Sequence, residues 1–270
     1  MNKETDIEWI EPYEGFVYNE QTVVVESTEQ TRALKVCGID PAIFGGKADP
    51  SAFIGIAIRA GVASGISSDG SVNMVQSLIQ HCPVNLDEEL RVSGRVLTVE
   101  AVPRGTVVGS EVRFVGADGE IAITARRQSL RPDPDKAGVR GAGDRPPLVV
   151  EDVARLRKLA EVKMSPERVT DYQSTGNRIH FDPEAARRAG FRAPIIGGGM
   201  GVHYLIAEIW RQFSPRTLDL DIYFRRPIFW DDEILVLVDD DGESGDNTWQ
   251  AICLAKGEKV ATEARINHIG

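Results

Sequence analysis

The chain has 270 residues, 42% hydrophobic content and a formal net charge of −10. This length and composition suit one large globular domain or two ordinary ones, which excludes disordered chains and small disulfide-stapled scaffolds. The acidic balance argues against binding to nucleic acid or an anionic membrane, so an anionic ligand would need a local basic pocket. The acidic amino-terminal segment contains a proline, and no apolar run approaches the roughly 20 residues of a membrane span. We therefore expect a cytoplasmic protein.

The first half of the chain predicts strands around one apolar helix. The segment TVVVEST indicates a strand, and SAFIGIAIRAGVASGI is an apolar run typical of a buried helix. Four strand-like segments separated by turn residues follow, namely MVQSLIQHC, EELRVSGRVLTVEAV, TVVGSEVRFVG and EIAITARRQSL. This order predicts an antiparallel sheet that accompanies a single central helix.

A linker divides the sequence almost evenly. Proline, glycine and charge replace every apolar pattern over residues 131–147. The boundaries of the two predicted lobes are therefore 1–130 and 148–270. Just after the linker, the stretch VVEDVARLRKLAEV has apolar residues at every third position, which predicts an amphipathic helix packed on the lobes.

The second half repeats the order of elements found in the first. A glycine cluster opens the run GVHYLIAEIWRQF, whose apolar residues fall on the stripe of an amphipathic helix. The strand-like segments LDLDIYFRRPI, EILVLVDDD, TWQAICLAK and KVATEARINHI come next. One helix followed by antiparallel strands, twice over, predicts a duplicated α+β fold with two sheets, each curled around a long helix. The alternative is an α+β pair without internal symmetry.

The sequence does not predict metal or disulfide chemistry. Cys37, Cys82 and Cys253 are far apart and odd in number, with no CxxC pair and no histidine at ligand spacing. The sequence has no GxSxG element, so covalent serine hydrolysis is not supported. The GGG cluster lacks the surroundings of a nucleotide-binding loop. We expect no bound metal.

The segment YQSTGNRIHFDPEAARRAGFRAPIIGGGMG, residues 172–201, resembles the signature of the MaoC-like, or hydratase-2, family. Asn177, His180 and Asp182 have the spacing of the family's Asn-x-x-His-x-Asp stretch, and a Gly-Phe, a Pro-Ile and a glycine-led helix follow in order. The form RIHFD is similar to the branch of mesaconyl-CoA and itaconyl-CoA hydratases and mitochondrial-type 3-hydroxyacyl-thioester dehydratases. The resemblance implies a double hotdog fold, with the catalytic site in the second lobe and an acyl tunnel shaped by the first.

The implied reaction is the addition of water to a 2-enoyl-CoA, or the reverse dehydration of a 3-hydroxyacyl-CoA. It needs a base for water, an acid for Cα and donors for the enolate-like oxygen. His180 suits proton transfer because a histidine pKa lies near neutrality. The amides of Gly198 and Gly199, at a helix amino terminus, would hold the thioester oxygen, while Asn177 and Thr175 would orient water. Coenzyme A enters as part of the substrate, and no cofactor is needed.

The sequence departs from the family pattern five residues before the histidine. An aspartate shares the catalytic water there in the family, and Thr175 occupies the position here. Asp171 and Asp182 are the nearest carboxylates, so Asp171 joins the catalytic candidates. The predicted substrate-binding residues are Ser174, Arg178, Asp182 and Met200.

The sequence leaves other functions open. An acyl-CoA thioesterase on the same fold would use Glu208, on the polar side of the helix, to activate water. A degraded acyl-CoA-binding or partner subunit would explain the missing aspartate, and a hotdog enzyme redirected to an unusual small substrate is a third alternative. Hotdog lobes pair, either within one chain or in a possible homodimer.

Two further predictions concern charged and polar side chains outside the signature. His203 is expected to pack or to form a hydrogen bond across the lobes. The paired arginines are expected on solvated faces, from which any of them could meet the phosphates of CoA. These pairs are Arg126 and Arg127, Arg187 and Arg188, and Arg225 and Arg226.

Overall fold

The computed structural model describes residues 9–136, 146–240 and 249–270. The described α-helices are α1 (Ser27–Val36), α2 (Ala52–Ala63), α3 (Pro166–Tyr172), α4 (Pro183–Arg188) and α5 (Gly198–Phe213). The strands of the first half are β1 (Gln21–Val24), β2 (Val72–Gln80), β3 (Glu89–Val102), β4 (Gly105–Val115) and β5 (Ile121–Pro132). The strands of the second half are β6 (Arg157–Lys163), β7 (Leu218–Phe224), β8 (Glu233–Asp240), β9 (Trp249–Lys256) and β10 (Lys259–Ile269).

All ten strands form one antiparallel sheet in the order β1-β3-β4-β5-β2-β7-β10-β9-β8-β6. Read outward from the centre, each half has the same strand succession, with β2 matching β7, β5 matching β10 and β1 matching β6. Helices α2 and α5 precede the matching strands β2 and β7. The predicted internal duplication is therefore present.

The two predicted sheets, one in each lobe, join edge to edge into one continuous sheet. Strand β2 pairs with β7, and Val75 lies opposite Tyr223 while Gln80 lies opposite Leu218. Pairing satisfies the edge hydrogen bonds that each half would otherwise expose. The pairing expected of hotdog lobes thus occurs within a single chain.

The two central helices lie in one continuous apolar core. On α2, Phe53 and Ile54 are buried, and on α5 the predicted stripe is buried along Val202, Leu205 and Ile209. Core residues from both halves belong to the same cluster. The same apolar packing therefore holds both helices and joins the two lobes.

The predicted amphipathic helix after the linker is wrong. Residues Val153–Arg155 form a single 3-10 turn, capped by the Asp152 side chain, and the following residues form β6. This strand pairs with β8, with Val162 opposite Ile234. Pairing with an otherwise open sheet edge outweighs a weak helical pattern. In the first half, α1 was not predicted, because its most deeply buried apolar residue is a single leucine, Leu34.

Part of the predicted linker lies outside the described residues. Strand β5 continues to Pro132, and residues 137–145 are not among those described. Residues 241–248, between β8 and β9, are also outside them. Within the described ranges, no helix has the length and apolar character needed to cross a membrane. The same ranges hold no group of three or more potential metal ligands.

Candidate active site

A cavity of about 1370 Å³ lies between the two lobes. The amino-terminal ends of both central helices line it, together with β2, the loop from Asp171 to His180 and the residues after β7. A drug-sized ligand site has roughly 300–1,000 Å³, so this volume suits a long or bulky ligand. Both repeats thus contribute walls to one site.

The cavity lining is basic although the chain is acidic. Three carboxylate residues line the cavity, namely Glu26, Glu29 and Asp171. The arginines that line it are more numerous, namely Arg32, Arg59, Arg104, Arg127, Arg188, Arg225 and Arg226. Such a lining attracts an anionic ligand to a protein whose overall field repels it. This lining is the local basic pocket that an anionic ligand of an acidic chain would need.

His180 lies at the cavity wall as a neutral base. Its Nδ1 is 2.9 Å from the carbonyl oxygen of Ile195, which can only accept, so Nδ1 carries the proton and Nε2 has the free lone pair. Burial lowers the pKa of His180 below its ordinary value of 6.5, against the smaller opposite effect of the hydrogen bond to Ile195. At neutral pH the imidazole can therefore accept a proton at Nε2.

The segment that holds His180 is fixed by backbone hydrogen bonds. The Ile195 amide donates to the Ile179 carbonyl, and the Ile196 amide donates to the Ile228 carbonyl. Ile195 also forms an isolated antiparallel bridge with Phe229. The acceptor for Nδ1 therefore has a defined position, which sets the direction of Nε2.

The amino terminus of α5 offers free backbone amides to the cavity. Gly197 is the N-cap, and as a glycine it has no side chain that could accept from the helix amides. The amides of Gly198 and Gly199, in the first turn, also have no intrahelical acceptor. A Cβ atom at Gly197 would lie 2.8 Å from Gln173 Oε1, and one at Gly198 would lie 3.0 Å from Asn73 Nδ2. A Cβ atom at Gly198 would also lie 3.0 Å from Phe224 Cε1, so a larger residue there would displace its neighbours. The free amides and the positive end of the helix dipole suit a developing oxyanion.

The other predicted catalytic residues lie in the loop before His180. Asn177 caps the short turn Arg178–His180, because its Oδ1 accepts from the Ile179 amide at 3.4 Å, and its side-chain NH₂ is left for a ligand. Thr175 and Ser174 are exposed and line the cavity, as does Asp171. The structure therefore brings these residues to one cavity, with the carboxylate of Asp171 at an exposed position.

The predicted substrate-binding residues divide between surface and core. Asp182 caps α4 by accepting from the amides of Glu184 and Ala185, and it forms an ion pair with Arg178. Met200 is fully buried in the core. None of Arg178, Asp182 and Met200 is among the residues lining the cavity, whereas Ser174 is.

A buried polar network joins the lobes at His203, as expected for a hydrogen bond across them. His203 Nδ1 lies 2.6 Å from Asp49 Oδ2 and 2.6 Å from Ser51 Oγ, while Nε2 lies 2.9 Å from the Tyr172 hydroxyl. Asp49 is 0% exposed and His203 is 4% exposed. Sequence reasoning missed Asp49, Ser51 and Tyr172, because no motif links positions so far apart in the chain.

This network is not a serine nucleophile triad. In such a triad the serine and the carboxylate bind opposite ring nitrogens of the histidine, whereas Ser51 and Asp49 share Nδ1 here. The Ser51 hydroxyl also donates to Asp49 Oδ1 at 2.7 Å, so its oxygen is left to accept from Nδ1. The phenol of Tyr172 therefore occupies the nitrogen that would face a nucleophile.

Glu208 and the arginine pairs differ from their predicted surroundings. The side chain of Glu208 is 13% exposed, burial raises its pKa, and it pairs with Arg211 rather than lining the cavity. The placement of Arg225 on a solvated face is wrong, because its side chain is 8% exposed and bonds Glu263 in the protein interior. Arg127, which also lines the cavity, is likewise withdrawn from bulk water, and burial lowers its pKa to about 10.

Sequence similarity to known proteins is confined to part of the chain. No protein-family model matches the chain. The mitochondrial 3-hydroxyacyl-[acyl-carrier-protein] dehydratase of Arabidopsis thaliana is 39% identical over 64 residues, which are 23% of this chain and 38% of that protein. The matched region therefore spans little more than a third of that relative's length.

Solved structures match over nearly the whole chain. HtdX from Mycobacterium tuberculosis has a TM-score of 0.72 at 17% identity, covering 93% of this chain and 98% of that one. A MaoC-like dehydratase from Phytophthora capsici has a TM-score of 0.68 at 17% identity, covering 94% and 96%. These similarities confirm the predicted α+β double hotdog fold, which this chain shares with MaoC-like dehydratases.

Proposed function

We propose that this protein is a hydro-lyase that hydrates a 2-enoyl thioester or dehydrates a 3-hydroxyacyl thioester. The observation that carries the proposal is that the free Nε2 of His180 and the free amides of Gly198 and Gly199 belong to one cavity. A base beside an oxyanion site is the arrangement that proton transfer next to a thioester carbonyl requires. The double hotdog fold and the local similarity to a plant dehydratase support it.

In this reaction the thioester oxygen accepts hydrogen bonds from the Gly198 and Gly199 amides. Charge that develops on that oxygen is stabilised by the amides and the α5 dipole. His180 Nε2 takes the proton from a water that Asn177 and Thr175 hold, the resulting hydroxide adds at Cβ, and Cα of the enolate then takes up one proton to complete the addition of water. The reverse direction uses the same groups in the opposite order.

The cavity lining favours a substrate carried on an anionic group such as CoA. Arginines in the lining suit the phosphates of CoA, because guanidinium–phosphate hydrogen bonds are charge-assisted. Glu208 pairs with Arg211 away from this lining, so the structure offers no support for the thioesterase alternative built on that residue.

The test of the proposed function is hydration of a panel of short, branched and carboxylated 2-enoyl-CoAs. We expect loss of the conjugated-thioester absorbance, with a product that has gained one water. Saturated acyl-CoAs serve as the control, and they should release no free thiol. Thiol release from saturated thioesters would establish a thioesterase, and a folded protein inert towards every thioester would contradict catalysis altogether.

Arg127 suggests the class of acyl group. Its Nε donates to Asn73 Oδ1 at 2.6 Å, and Asn73 Nδ2 faces the α5 terminus at Gly198. Among the described residues, no carboxylate forms an ion pair with this guanidinium. A withdrawn, unpaired cation near the thioester site favours an anionic partner from the ligand. We therefore propose an acyl chain that itself carries a carboxylate, as the resemblance to the mesaconyl-CoA and itaconyl-CoA branch implies.

Replacing Arg127 should change substrate preference. In Arg127→Gln, kcat/KM for a carboxylated 2-enoyl-CoA should fall about 10- to 100-fold, the worth of a charged hydrogen bond. The unsubstituted four-carbon enoyl-CoA should be affected far less, and Arg127→Lys should retain part of the preference. An equal loss on both substrates would show that Arg127 acts on the common part of the molecule instead.

A further inference from the structure

We infer that Tyr172, His203 and Asp49 form a second proton-transfer group that serves Cα of the substrate, so the site works without the aspartate replaced by Thr175. This inference rests on the proposed function and names the acid that the mechanism still lacks. Tyr172 would be the catalytic residue because it lines the cavity. His203 and Asp49 act through it as positioning residues.

The hydrogen bonds define which atoms can exchange a proton. Asp49 Oδ2 and Ser51 Oγ both accept at His203 Nδ1, since the Ser51 proton is committed to Asp49 Oδ1. Nδ1 therefore carries a proton permanently. Nε2 and the Tyr172 oxygen are 2.9 Å apart, so a proton on Nε2 can pass to the phenol oxygen when the phenol gives up its own.

The phenol stands beside the proposed oxyanion site. A Cβ atom built at Gly199 would lie 3.6 Å from the Tyr172 oxygen, so the hydroxyl is next to the amide that would bind the thioester oxygen. Cα is one bond from that carbonyl carbon. His180 lies in the adjoining loop with Asn177, which suits the water that attacks Cβ.

Burial makes the relay necessary. Desolvation raises the pKa of Tyr172 far above its ordinary value, so the phenol cannot act as a free phenolate. A proton that leaves Tyr172 must be replaced at once from His203, and the adjacent buried carboxylate of Asp49 stabilises the imidazolium that supplies it. The edge-to-face contact of the two rings, with centroids 5.6 Å apart, holds them in this relation.

The proton balance of hydration follows from these contacts. Hydration proceeds from the imidazolium form of His203, in which Nε2 donates to the Tyr172 oxygen and the Tyr172 proton faces the cavity. His180 Nε2 takes a proton from water as the new C–O bond forms at Cβ, and the electron pair of the double bond moves towards the thioester. Cα then takes the Tyr172 proton while the Nε2 proton of His203 moves to Tyr172. Solvent removes the proton from His180 and restores the one on His203.

The first test compares Tyr172→Phe with Tyr204→Phe in the full chain. Both remove a buried hydroxyl, but Tyr204 lies on α5 outside the cavity lining and its hydroxyl has no hydrogen-bond partner among the described residues. Tyr172→Phe should lower kcat for 2-enoyl-CoA hydration by about 10²- to 10³-fold with little change in KM, the effect of removing a proton donor that acts in the transition state. Tyr204→Phe should keep the wild-type rate, and the circular dichroism spectra of both variants should show the wild-type fold.

A second measurement separates the two proton-transfer groups. Wild type in D₂O should exchange the α-proton of a saturated acyl-CoA, a reaction that needs no water addition. Exchange should be lost in Tyr172→Phe and strongly reduced in His203→Gln, yet persist in His180→Ala. Exchange that depends on His180 instead, or a Tyr172→Phe enzyme that hydrates at the wild-type rate, would overturn the relay and leave the proposed function standing. A wild-type protein inert towards all enoyl-CoAs would overturn the proposed function, and the relay with it.

Discussion

Replacing His180 by alanine should lower kcat for hydration of a 2-enoyl-CoA by about 10³- to 10⁴-fold, near the upper limit for removal of a general base. The reason is that Nε2 of His180 has its lone pair in the cavity while Nδ1 is committed to the Ile195 carbonyl. The initial rate of absorbance loss measures the effect. The matched control is His81→Ala, since His81 is exposed, bonds Thr124 and lies outside the cavity lining. Equal losses in both variants would remove His180 from the mechanism.

The pH dependence of kcat/KM in the wild-type enzyme should also show that His180 is the base. Burial lowers the pKa of His180, so the neutral base form persists to a lower pH than for a solvent-exposed histidine. The acid limb of the kcat/KM profile should therefore lie below pH 6.5, the ordinary value for this group. The free energy of unfolding should also decrease as the pH falls through that value. The unfolded state, in which His180 has its ordinary pKa, binds the proton more readily than the folded state, so acidification favours unfolding. An acid limb above pH 6.5 would contradict the assignment of this histidine as the base.

The signature around His180 was predictable because its information is local. Asn177, His180 and the glycines of α5 lie within one short stretch, and the structure places all of them at one cavity. The apolar period of α5 likewise predicts the helix, but it does not reveal that burial extends round the whole helix from Met200 to Ala207. Sequence pattern and structure agree where the residues that define a feature lie close together in the chain.

The residues that the sequence could not reveal depend on packing between the lobes. Asp49 and His203 are 154 positions apart, and the joining of the lobes through β2 and β7 and through the shared core brings them together. The same applies to Arg127, which reads as one of a solvated pair but projects from β5 towards the interlobe cavity. The prediction of a helix at the β6 segment was wrong for a related reason. Its weak helical period gave no indication that β8 has an open edge with which this segment pairs.

The glycine at the start of α5 provides a test of the oxyanion site that is separate from proton transfer. A Cβ atom at Gly198 would lie 3.0 Å from both Asn73 Nδ2 and Phe224 Cε1, closer than side-chain carbons tolerate without a shift. At Gly199 the nearest such contact is the ordinary 3.6 Å to Tyr172. Gly198→Ala should therefore lower kcat about 10²-fold, the effect of disturbing one oxyanion donor, and Gly199→Ala should lower it less.

Stability separates this effect from misfolding. Alanine is the better helix former and restricts the unfolded chain, so Gly199→Ala should melt at or above the wild-type temperature, whereas the close contacts at Gly198 should offset that gain in Gly198→Ala. An active-site loss without a loss of stability would show that the close approach of the ligand, rather than the helix, requires glycine. If Gly199→Ala loses more activity than Gly198→Ala, the thioester oxygen must bind nearer Tyr172, which would place the phenol itself among the oxyanion donors.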